Sequence, residues 1–325
     1  MYIEINNKAY PVIIVTIQQS WSAGLLDNTI VFWYTDHGGP LPRQKRLLYD
    51  SGVKVPMIIR FPEAVRANTR DDRLISFIDL APTLLSLAKI QPPDHMQGKS
   101  FLGDYKRSIE PLYVFGAADR FDETTDHVRS VRDKNFKYIK YYDPEIPMFL
   151  EVAYRNQMPI MQELHRLKNE GNLSKEQALW FRDKKPKEEL FDIRNDPYEI
   201  HDLSQDPAYK STLEEMRKAC KNWTDEINDT VLINEETLIA SLHPQGFQAQ
   251  TESIQVQLQN GNIKLFSETQ GASIGYKIIK DGINPDNTSW VIYSEPITLK
   301  TNEKLLAVAH RIGYLPSEIL KYDLQ

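Results

Sequence analysis

Two short apolar runs frame the most informative part of the chain. Residues 29–34 (TIVFWY) are β-branched or aromatic almost without a break, and residues 55–61 (VPMIIRF) form a second run of the same kind. Apolar runs of this length without polar alternation are typical of strands that are buried on both faces of an α/β sheet. We therefore predict an α/β fold in which both runs are core strands.

Three later segments repeat apolar residues at the helical spacing of three and four positions: 76–90, 154–176 and 207–228. In the first segment, Asp79 precedes the helix and Pro82 lies in its first turn, which predicts a helix cap rather than a catalytic acid. His165 in the second segment is predicted to be exposed. Cys220 falls on the apolar face of the third helix and is therefore predicted to be a core residue.

Short strand patterns lie between these helical segments. They cover residues 112–115, 128–131 and 136–142, and a further edge strand begins at Leu190. The stretch 119–127 is dense in charge, which favours a solvated loop with local ion pairs.

The pattern changes after residue 229. Residues 230–244 show little periodicity and look like a linker. Six short apolar stretches separated by turn signals then follow, at 253–258, 263–266, 274–279, 290–293, 297–299 and 304–310. Short strands at this regular spacing predict a small β-sandwich, so we predict two domains, 1–229 and 230–325. Trp290 is expected to pack in the core of the second domain.

Composition excludes several functional classes. The formal net charge of −6 argues against a general nucleic-acid binder, which needs a net basic face. No apolar run approaches the roughly 18 residues that a membrane-spanning helix requires. The one cysteine excludes an intrachain disulfide. Residues 1–22 do not resemble a signal peptide, because Glu4 precedes the apolar part and no small-residue cleavage site follows it.

Polar residues with metal-binding chemistry follow the first apolar run. In α/β sheets, ligand sites collect at the carboxyl ends of strands, where Asp36 and His37 stand. Carboxylate oxygens suit calcium or magnesium, and an imidazole widens the choice of cation. Gly38 and Gly39 allow the backbone to turn where a side chain would clash.

Three cations follow within ten residues of His37, namely Arg43, Lys45 and Arg46. A divalent cation with lysine and arginine nearby suits an anionic ester, because negative charge grows on its oxygens in the transition state. From these residues alone, the alternative is a strand that ends in a polar turn followed by a solvated basic loop.

A wider set of motifs carries a family resemblance. The sequence Thr-Asp-His-Gly at 35–38, Lys45, and Tyr-Asp-Ser-Gly-Val at 49–53 resemble the second half of the formylglycine-dependent sulfatases, in particular bacterial members of this alkaline-phosphatase-like family. Further segments fit in the same order: 78–85, 96–98, 128–133, 137–139, 189–192 and 195–199. The resemblance extends from about residue 24 to 228. It implies part of an α/β/α sheet followed by an antiparallel C-terminal subdomain.

The resemblance also implies roles for individual residues. Asp36 and His37 take the positions of two ligands of the active-site divalent cation, which is usually Ca²⁺, and Lys45 takes the position of the lysine that binds the substrate sulfate. Arg120 lies in a segment that borders the substrate pocket in these proteins, where it would meet a second anionic group. The solvated loop remains the alternative for Arg120.

The chain also departs from the family pattern. The family's nucleophile is a formylglycine made from cysteine or serine in a Cys-x-Pro-x-Arg motif far upstream of the Asp-His pair. That motif is not present here, and Cys220 is followed by Lys-Asn-Trp. We therefore expect the C-terminal part of a sulfatase, with residues 1–23 foreign to the fold. The full-length family is expected to be periplasmic or secreted.

Three functions remain open at this point. The first is hydrolysis of a sulfate ester on a sulfated small molecule or carbohydrate. The second is hydrolysis of a phosphate or phosphonate ester on the same fold, and the third is an inactive fragment or a non-catalytic carbohydrate-associated module. The C-terminal aromatics, including Tyr276, Trp290 and Tyr293, resemble those of a chitobiase C-terminal-like β domain.

Overall fold

The computed structural model describes residues 22–243, 246–259, 261–280 and 282–323. Most of the segment predicted to be foreign to the fold, residues 1–23, lies outside these ranges. The chain divides into two units, Met1–Leu232 and Ile233–Gln325. Helices and antiparallel sheets are mixed along it, which confirms the predicted α/β class.

The first apolar run forms strand β1, Val31–Tyr34, and the second forms strand β2, Met57–Arg60. The two strands pair antiparallel, with Val31 opposite Arg60. Helix α1, Asp50–Val53, lies in the connection between them. Both strands are therefore present, each shorter than its run.

The prediction that β1 is buried on both faces is wrong. Phe32 packs with Met57 and Ile59 against a core that includes Phe101. Trp33 lies on the opposite face of the pleat and is half-buried, and Tyr34 is exposed. Successive side chains of a strand point to opposite faces, so packing on one side covers only alternate residues.

The helix predicted at 76–90 is a 3₁₀ turn, Phe77–Asp79, followed by helix α2, Leu80–Leu87. Asp79 stands at the start of α2, as predicted. Its buried carboxylate accepts the backbone N–H groups of Ser76 at 3.1 Å and Lys99 at 2.9 Å and pairs with Arg107 at 3.0 Å. These bonds give Asp79 a structural role.

The second half of this unit is an antiparallel sheet. Its strands, in the spatial order β3-β4-β5-β6, are β3 (Val114–Phe121), β4 (Thr124–Arg132), β5 (Phe136–Tyr141) and β6 (Glu188–Asp192). One face packs against the long helix that follows β6, through Val131 and Tyr138 on the sheet and Met216 and Cys220 on the helix. The predictions of an antiparallel subdomain with a terminal helix and of a buried Cys220 are confirmed.

The charged stretch 119–127 is not a loop. It forms the tip of the β3–β4 hairpin, with the turn at Asp122 and Glu123. Asp122 has a positive φ of 53°, which allows the tight reversal. The dense charge of this stretch suggests a solvated loop. The residues instead pair across two strands and include both buried and exposed positions.

Three short helices lie between β5 and β6: α3 (Ala153–Asn156), α4 (Pro159–Asn169) and α5 (Lys175–Ala178). The helical segment predicted over 154–176 is thus interrupted twice, before Pro159 and again around Gly171. His165 was predicted to be exposed, but it is half-buried. Its ring contacts Phe149 and Phe181, with centroids 5.3 and 5.6 Å away, because α4 packs this side against the 179–181 turn. The terminal helix, α6, spans Lys210–Glu226.

The second unit begins with helix α7, Glu235–Leu242, in the stretch where the sequence showed little pattern. Two antiparallel groups of strands follow: β7 (Gln255–Gln259) with β8 (Asn262–Phe266), and the order β10-β9-β11-β12 from β9 (Ser273–Lys280), β10 (Val291–Ile292), β11 (Glu303–His310) and β12 (Leu320–Asp323). Leu265 and Leu305 share one apolar core. The sequence pattern missed β12, and the stretch 297–299 contributes only an isolated bridge at Ile297.

Trp290 is not a core residue. Its side chain is 44% exposed, and its ring lies over Lys277 with the ammonium 4.6 Å from the centroid. The ring also lies over Gly275, where a Cβ would meet it at an ordinary contact distance of 3.6 Å. The resemblance of this unit to a chitobiase C-terminal-like domain stays a prediction. Within the described ranges, no helix is long and apolar enough to cross a membrane.

Candidate functional site

The site begins where β1 ends. Gly38 donates its N–H to the carbonyl of Gly52 at 2.8 Å, which joins the segment after β1 to α1. A Cβ on Gly38 would lie 1.9 Å from the carbonyl oxygen of Ser51. Glycine is therefore required here by close backbone approach, which confirms the predicted reason for the glycine at this position.

Asp36 and His37 lie side by side at this strand end. Asp36 Oδ1 accepts the backbone N–H of His37 at 3.0 Å. His37 Nδ1 lies 2.7 Å from the carbonyl oxygen of Gly38, so Nδ1 carries the proton and donates it. The remaining ring nitrogen, Nε2, lies 3.4 Å from Asp36 Oδ2. When the imidazole is neutral, His37 Nε2 and Asp36 Oδ2 are both hydrogen-bond acceptors. Two acceptors this close repel each other unless a positive charge lies between them.

This geometry fits two ligands of a hard cation. Ligand atoms at about 2.4 Å from Ca²⁺ are separated by about 3.4 Å when they subtend a right angle. Donation of the second ring N–H to a backbone carbonyl is the usual way in which a metal-binding histidine is oriented. The Asp36 side chain is 85% exposed and that of His37 is 39% exposed, so solvent ions reach both.

The pair does not complete a metal site by itself. Among the residues that the structure describes, no cluster of three or more His, Cys, Asp or Glu side chains is arranged to hold a metal. Asp36 and His37 therefore form a partial donor set. A proton on Nε2 would satisfy the same contact as an ion pair.

Lys45 is held against this segment by its backbone. Its N–H donates to the carbonyl of Gly39 at 3.0 Å, which folds the loop back towards the Asp36–His37 pair. The Lys45 ammonium makes no hydrogen bond or ion pair with other residues in the described part of the chain. A hydrogen bond from Arg46 and, to a smaller extent, the charge of Lys45 lower the pKa of Asp122.

Arg43 is committed to a structural contact. Its guanidinium donates to the carbonyl of Tyr198 at 3.1 Å and to that of Glu199 at 2.7 Å. It also lies over the ring of Tyr49 at 4.0 Å. The prediction that Arg43 returns positive charge to the site is therefore corrected, because its donors are used to bind the loop after β6.

Arg46 is likewise bound to the protein. It pairs with Asp122 at the hairpin tip and lies over the rings of Phe121 and Tyr154, each at 5.3 Å. The three cations of this loop therefore have different roles. Arg43 and Arg46 fasten the loop on either side of Lys45.

Arg120 lies on β3, near the end of the loop that Arg46 holds against the hairpin. Its Nε donates to the carbonyl of Asp122 at 2.9 Å. Its side chain lines a small cavity of about 20 Å³ together with Arg46, Asp126 and Tyr141. The structure therefore brings Arg120 beside Arg46. Asp126 is paired with Lys185 at 2.6 Å, so this hairpin does contain the local ion pairs of the alternative interpretation.

A buried charged cluster lies beneath α1 and was not identified from the sequence. The Asp50 carboxylate accepts Arg132 Nε at 3.0 Å and Lys137 Nζ at 3.4 Å. The Asp50 N–H donates to Glu199 Oε2 at 2.7 Å. Burial raises the pKa of Glu199 to about 7 and lowers the pKa of Lys137. Asp50 and Glu199 both lie in motifs of the family resemblance, but nothing in their spacing indicated that they touch.

Comparison with known proteins agrees with these motifs. Residues 43–176 match the family model described as N-sulphoglucosamine sulphohydrolase, C-terminal. An ulvan-active sulfatase from Formosa agariphila is 49% identical over 306 residues, covering 94% of this chain and 51% of the relative. The chain is related to the sulfatases. Human N-sulphoglucosamine sulphohydrolase is 27% identical over 233 residues, covering 66% of this chain and 45% of the relative.

A solved sulfatase structure supports the fold. A 2-O GAG sulfatase superposes with a TM-score of 0.51 at 24% identity, covering 69% of this chain and 42% of that protein. The fold of this chain is therefore similar to that of part of a sulfatase. The chain spans about half the length of the sulfatases that it matches.

Proposed function

We propose that this chain provides the cation-binding and sulfate-binding part of a sulfatase active site, acting on sulfate esters of a carbohydrate. The observation that supports the proposal is the hydrogen bond from Lys45 N–H to the Gly39 carbonyl, which brings the backbone at Lys45 close to the segment that follows Asp36 and His37. A lysine ammonium beside a bound divalent cation would suit a doubly charged sulfate. The names of the relatives, an ulvan-active sulfatase and a sulphoglucosamine sulphohydrolase, support a carbohydrate substrate.

Each residue has a defined role in this proposal. Asp36 and His37 would hold a divalent cation, with Ca²⁺ as the preferred ion for exposed carboxylate chemistry. Such an ion stabilises the charge that develops on sulfate oxygens without a proton transfer. Lys45 binds and orients the sulfate through its ammonium. Arg120 would contact a second anionic group of the substrate from the hairpin side.

Calcium binding tests the donor pair directly. We expect Asp36→Ala and His37→Ala each to weaken Ca²⁺ binding at least tenfold, measured by isothermal titration calorimetry. Removing one of two protein ligands loses a charge-dipole or charge-charge contact that the remaining ligand cannot replace. Equal Ca²⁺ affinity of the two variants and the parent protein would refute the metal assignment.

Sulfate binding tests Lys45 without requiring turnover. Inorganic sulfate is expected to bind in the presence of Ca²⁺ and to bind at least tenfold more weakly to Lys45→Ala. Lys218→Ala is the matched control, because Lys218 is an exposed lysine on α6. An equal loss in both variants would show that net charge alone, rather than a site, attracts the anion.

A further inference from the structure

Glu199 contacts both ends of the segment that carries Lys45. Its side chain is 1% exposed, and its Oε2 accepts the N–H of Asp50 at 2.7 Å. Its backbone carbonyl accepts Nη2 of Arg43 at 2.7 Å. One buried residue after β6 thus holds the chain two residues before Lys45 and five residues after it.

The segment needs such support. Arg43 and Arg46 have positive φ values of 58° and 73°, which cost free energy for residues with a Cβ atom. Ser51 Oγ donates to the carbonyl of Arg43 at 2.6 Å and closes the segment on itself. Contacts from outside the loop must therefore offset the strain, and those of Glu199 act at both of its ends.

The charges around Glu199 come from several elements. Lys137 faces it from β5 and Arg43 from the loop, and both attract its carboxylate. Asp50 on α1 repels it, while Arg132 on β4 compensates Asp50 with two hydrogen bonds.

On the turn of Glu199 itself, Asp196 is occupied by the N–H groups of Ile200 and His201, both at 2.7 Å. Glu199 Oε1 has no hydrogen-bond partner among the described residues. In the described part of the chain, the Glu199 carboxyl group is therefore held by one backbone hydrogen bond, from Asp50, while Lys137 and Arg43 attract its charge without bonding to it.

We infer that Glu199 is a positioning residue for Lys45, and that its buried carboxyl group, together with Arg43, fixes the backbone segment that carries the lysine. The importance of Lys45 rests on the function proposed above. The clamp, by which we mean the contacts of Glu199 with Asp50 and Arg43, does not depend on that function. Burial and the neighbouring charge of Asp50 together outweigh the attraction of Lys137 and Arg43, so the protonated acid is the form that this site favours. Ionisation of Glu199 therefore weakens the folded arrangement around the segment.

Glu199 changes between its protonated and ionised forms near neutral pH. Burial and the charge of Asp50 raise the pKa of Glu199 to about 7, against the opposing effects of Lys137 and Arg43. The folded site favours the protonated acid, so the segment is held more firmly below pH 7 than above it.

Hydrogen exchange tests the clamp in the full chain without substrate or metal. Protection of the amides of Gln44, Lys45 and Leu47, corrected for intrinsic exchange, is expected to fall roughly tenfold between pH 5.5 and 8.5, because Glu199 ionises in a folded site that favours its protonated form. Glu199→Gln should keep the low-pH protection at both pH values. The control is Glu188→Gln, because Glu188 pairs with Arg217 on the α6 side of the sheet and should leave the loop profile unchanged.

A second variant covers the case in which Glu199→Gln does not fold. Arg43→Lys keeps the charge but cannot bind the two carbonyls of Tyr198 and Glu199 with a planar fork, so loop protection should fall at every pH. A flat profile in the parent protein, or a Glu199→Gln profile that follows the parent, overturns the inference.

Inorganic sulfate separates the clamp from the proposed function. If the function holds, sulfate affinity in the presence of Ca²⁺ should follow the loop protection with pH in the parent and lose that dependence in Glu199→Gln. If the loop protection depends on Glu199 but no sulfate binds, the clamp is supported and the sulfate-binding role of Lys45 is refuted. Sulfate binding whose pH profile is unchanged by Glu199→Gln would refute the clamp instead.

Discussion

At the scale of single residues, three neighbouring cations acquire different roles through their head groups. The planar guanidinium of Arg43 reaches two backbone carbonyls at once, and that of Arg46 pairs with Asp122 between aromatic rings. The Lys45 ammonium is a compact, strongly hydrated charge with no such partner among the described residues, and it remains available to an anion. Exchange of arginine and lysine at these positions would therefore not be conservative.

Glu199 also makes folding stability depend on pH. Its pKa in the folded state, about 7, lies above the ordinary value of 4.5. The folded state thus binds the proton more tightly than the unfolded state, so this contribution to stability is complete below pH 4.5 and is lost as pH rises to about 7. We expect the free energy of unfolding to lose up to roughly 3 kcal/mol over this range, at about 1.4 kcal/mol per pKa unit.

Urea unfolding between pH 4.5 and 8 measures this effect as the difference between the parent protein and Glu199→Gln. The difference isolates Glu199 from acids such as Asp229, whose pKa is lowered by its hydrogen bonds with Arg129 and which acts in the opposite direction. A constant difference across the range would contradict the prediction.

At the scale of elements, Arg129 joins three parts of the first unit. Its side chain is 2% exposed and donates from β4 to Asp119 on β3, at 2.5 Å, and to Asp229 after α6, at 2.6 Å. These bonds connect the hairpin to the end of the long helix. Removal of the arginine would leave Asp229 as a buried charge without its partner.

We predict that Arg129→Met lowers the free energy of unfolding by about 3–5 kcal/mol, the usual cost of breaking a buried ion pair from one side. Arg166→Met on α4 is the control, because its partners Glu163 and Glu170 are exposed and such pairs contribute about 0–1 kcal/mol. Urea denaturation compares the two. Equal losses would show that burial does not set the value of the Arg129 pairs.

Helix α6 allows a chemical test of its packing. Cys220 is buried against Val131 and Tyr138, and burial raises the pKa of its thiol to about 11. The reactive thiolate is therefore scarce and shielded at neutral pH. We expect a thiol reagent such as Ellman's reagent to modify Cys220 only in denaturant, and rapid labelling of the native protein would contradict the assigned helix face.

At the scale of the whole molecule, the chain has a sulfatase fold in its matched part and spans about half of its relatives' length. Its sequence contains no Cys-x-Pro-x-Arg or Ser-x-Pro-x-Arg motif. We predict that this polypeptide alone does not hydrolyse an aryl sulfate in the presence of Ca²⁺, because the covalent step has no nucleophile. Turnover that is abolished by Lys45→Ala would overturn this prediction.

Much of the architecture was predictable from local pattern. The helical spacing around Cys220 and the alternation at residues 136–142 reflect burial of one side of an element, which periodicity records directly. The hairpin at 119–127, the helix at Glu235–Leu242 and strand β12 were missed. Tertiary contacts decide the structure of the hairpin, as the ion pairs of Asp119 and Asp126 show, and β12 depends on its pairing with β11. The helix has a local signal instead, because the Asn234 side chain caps it by accepting the N–H of Thr237.

The sequence by itself determined the order of elements, the family resemblance and the candidates Asp36, His37 and Lys45, because each depends on neighbours within a few residues. Only the tertiary structure decided that Lys45 is separated in role from Arg43 and Arg46, that Trp290 lies at the surface, and that Glu199 supports α1. The contact between Glu199 and Asp50 joins positions 149 residues apart. Such contacts depend on how buried charges find partners in the folded core, which no local pattern encodes.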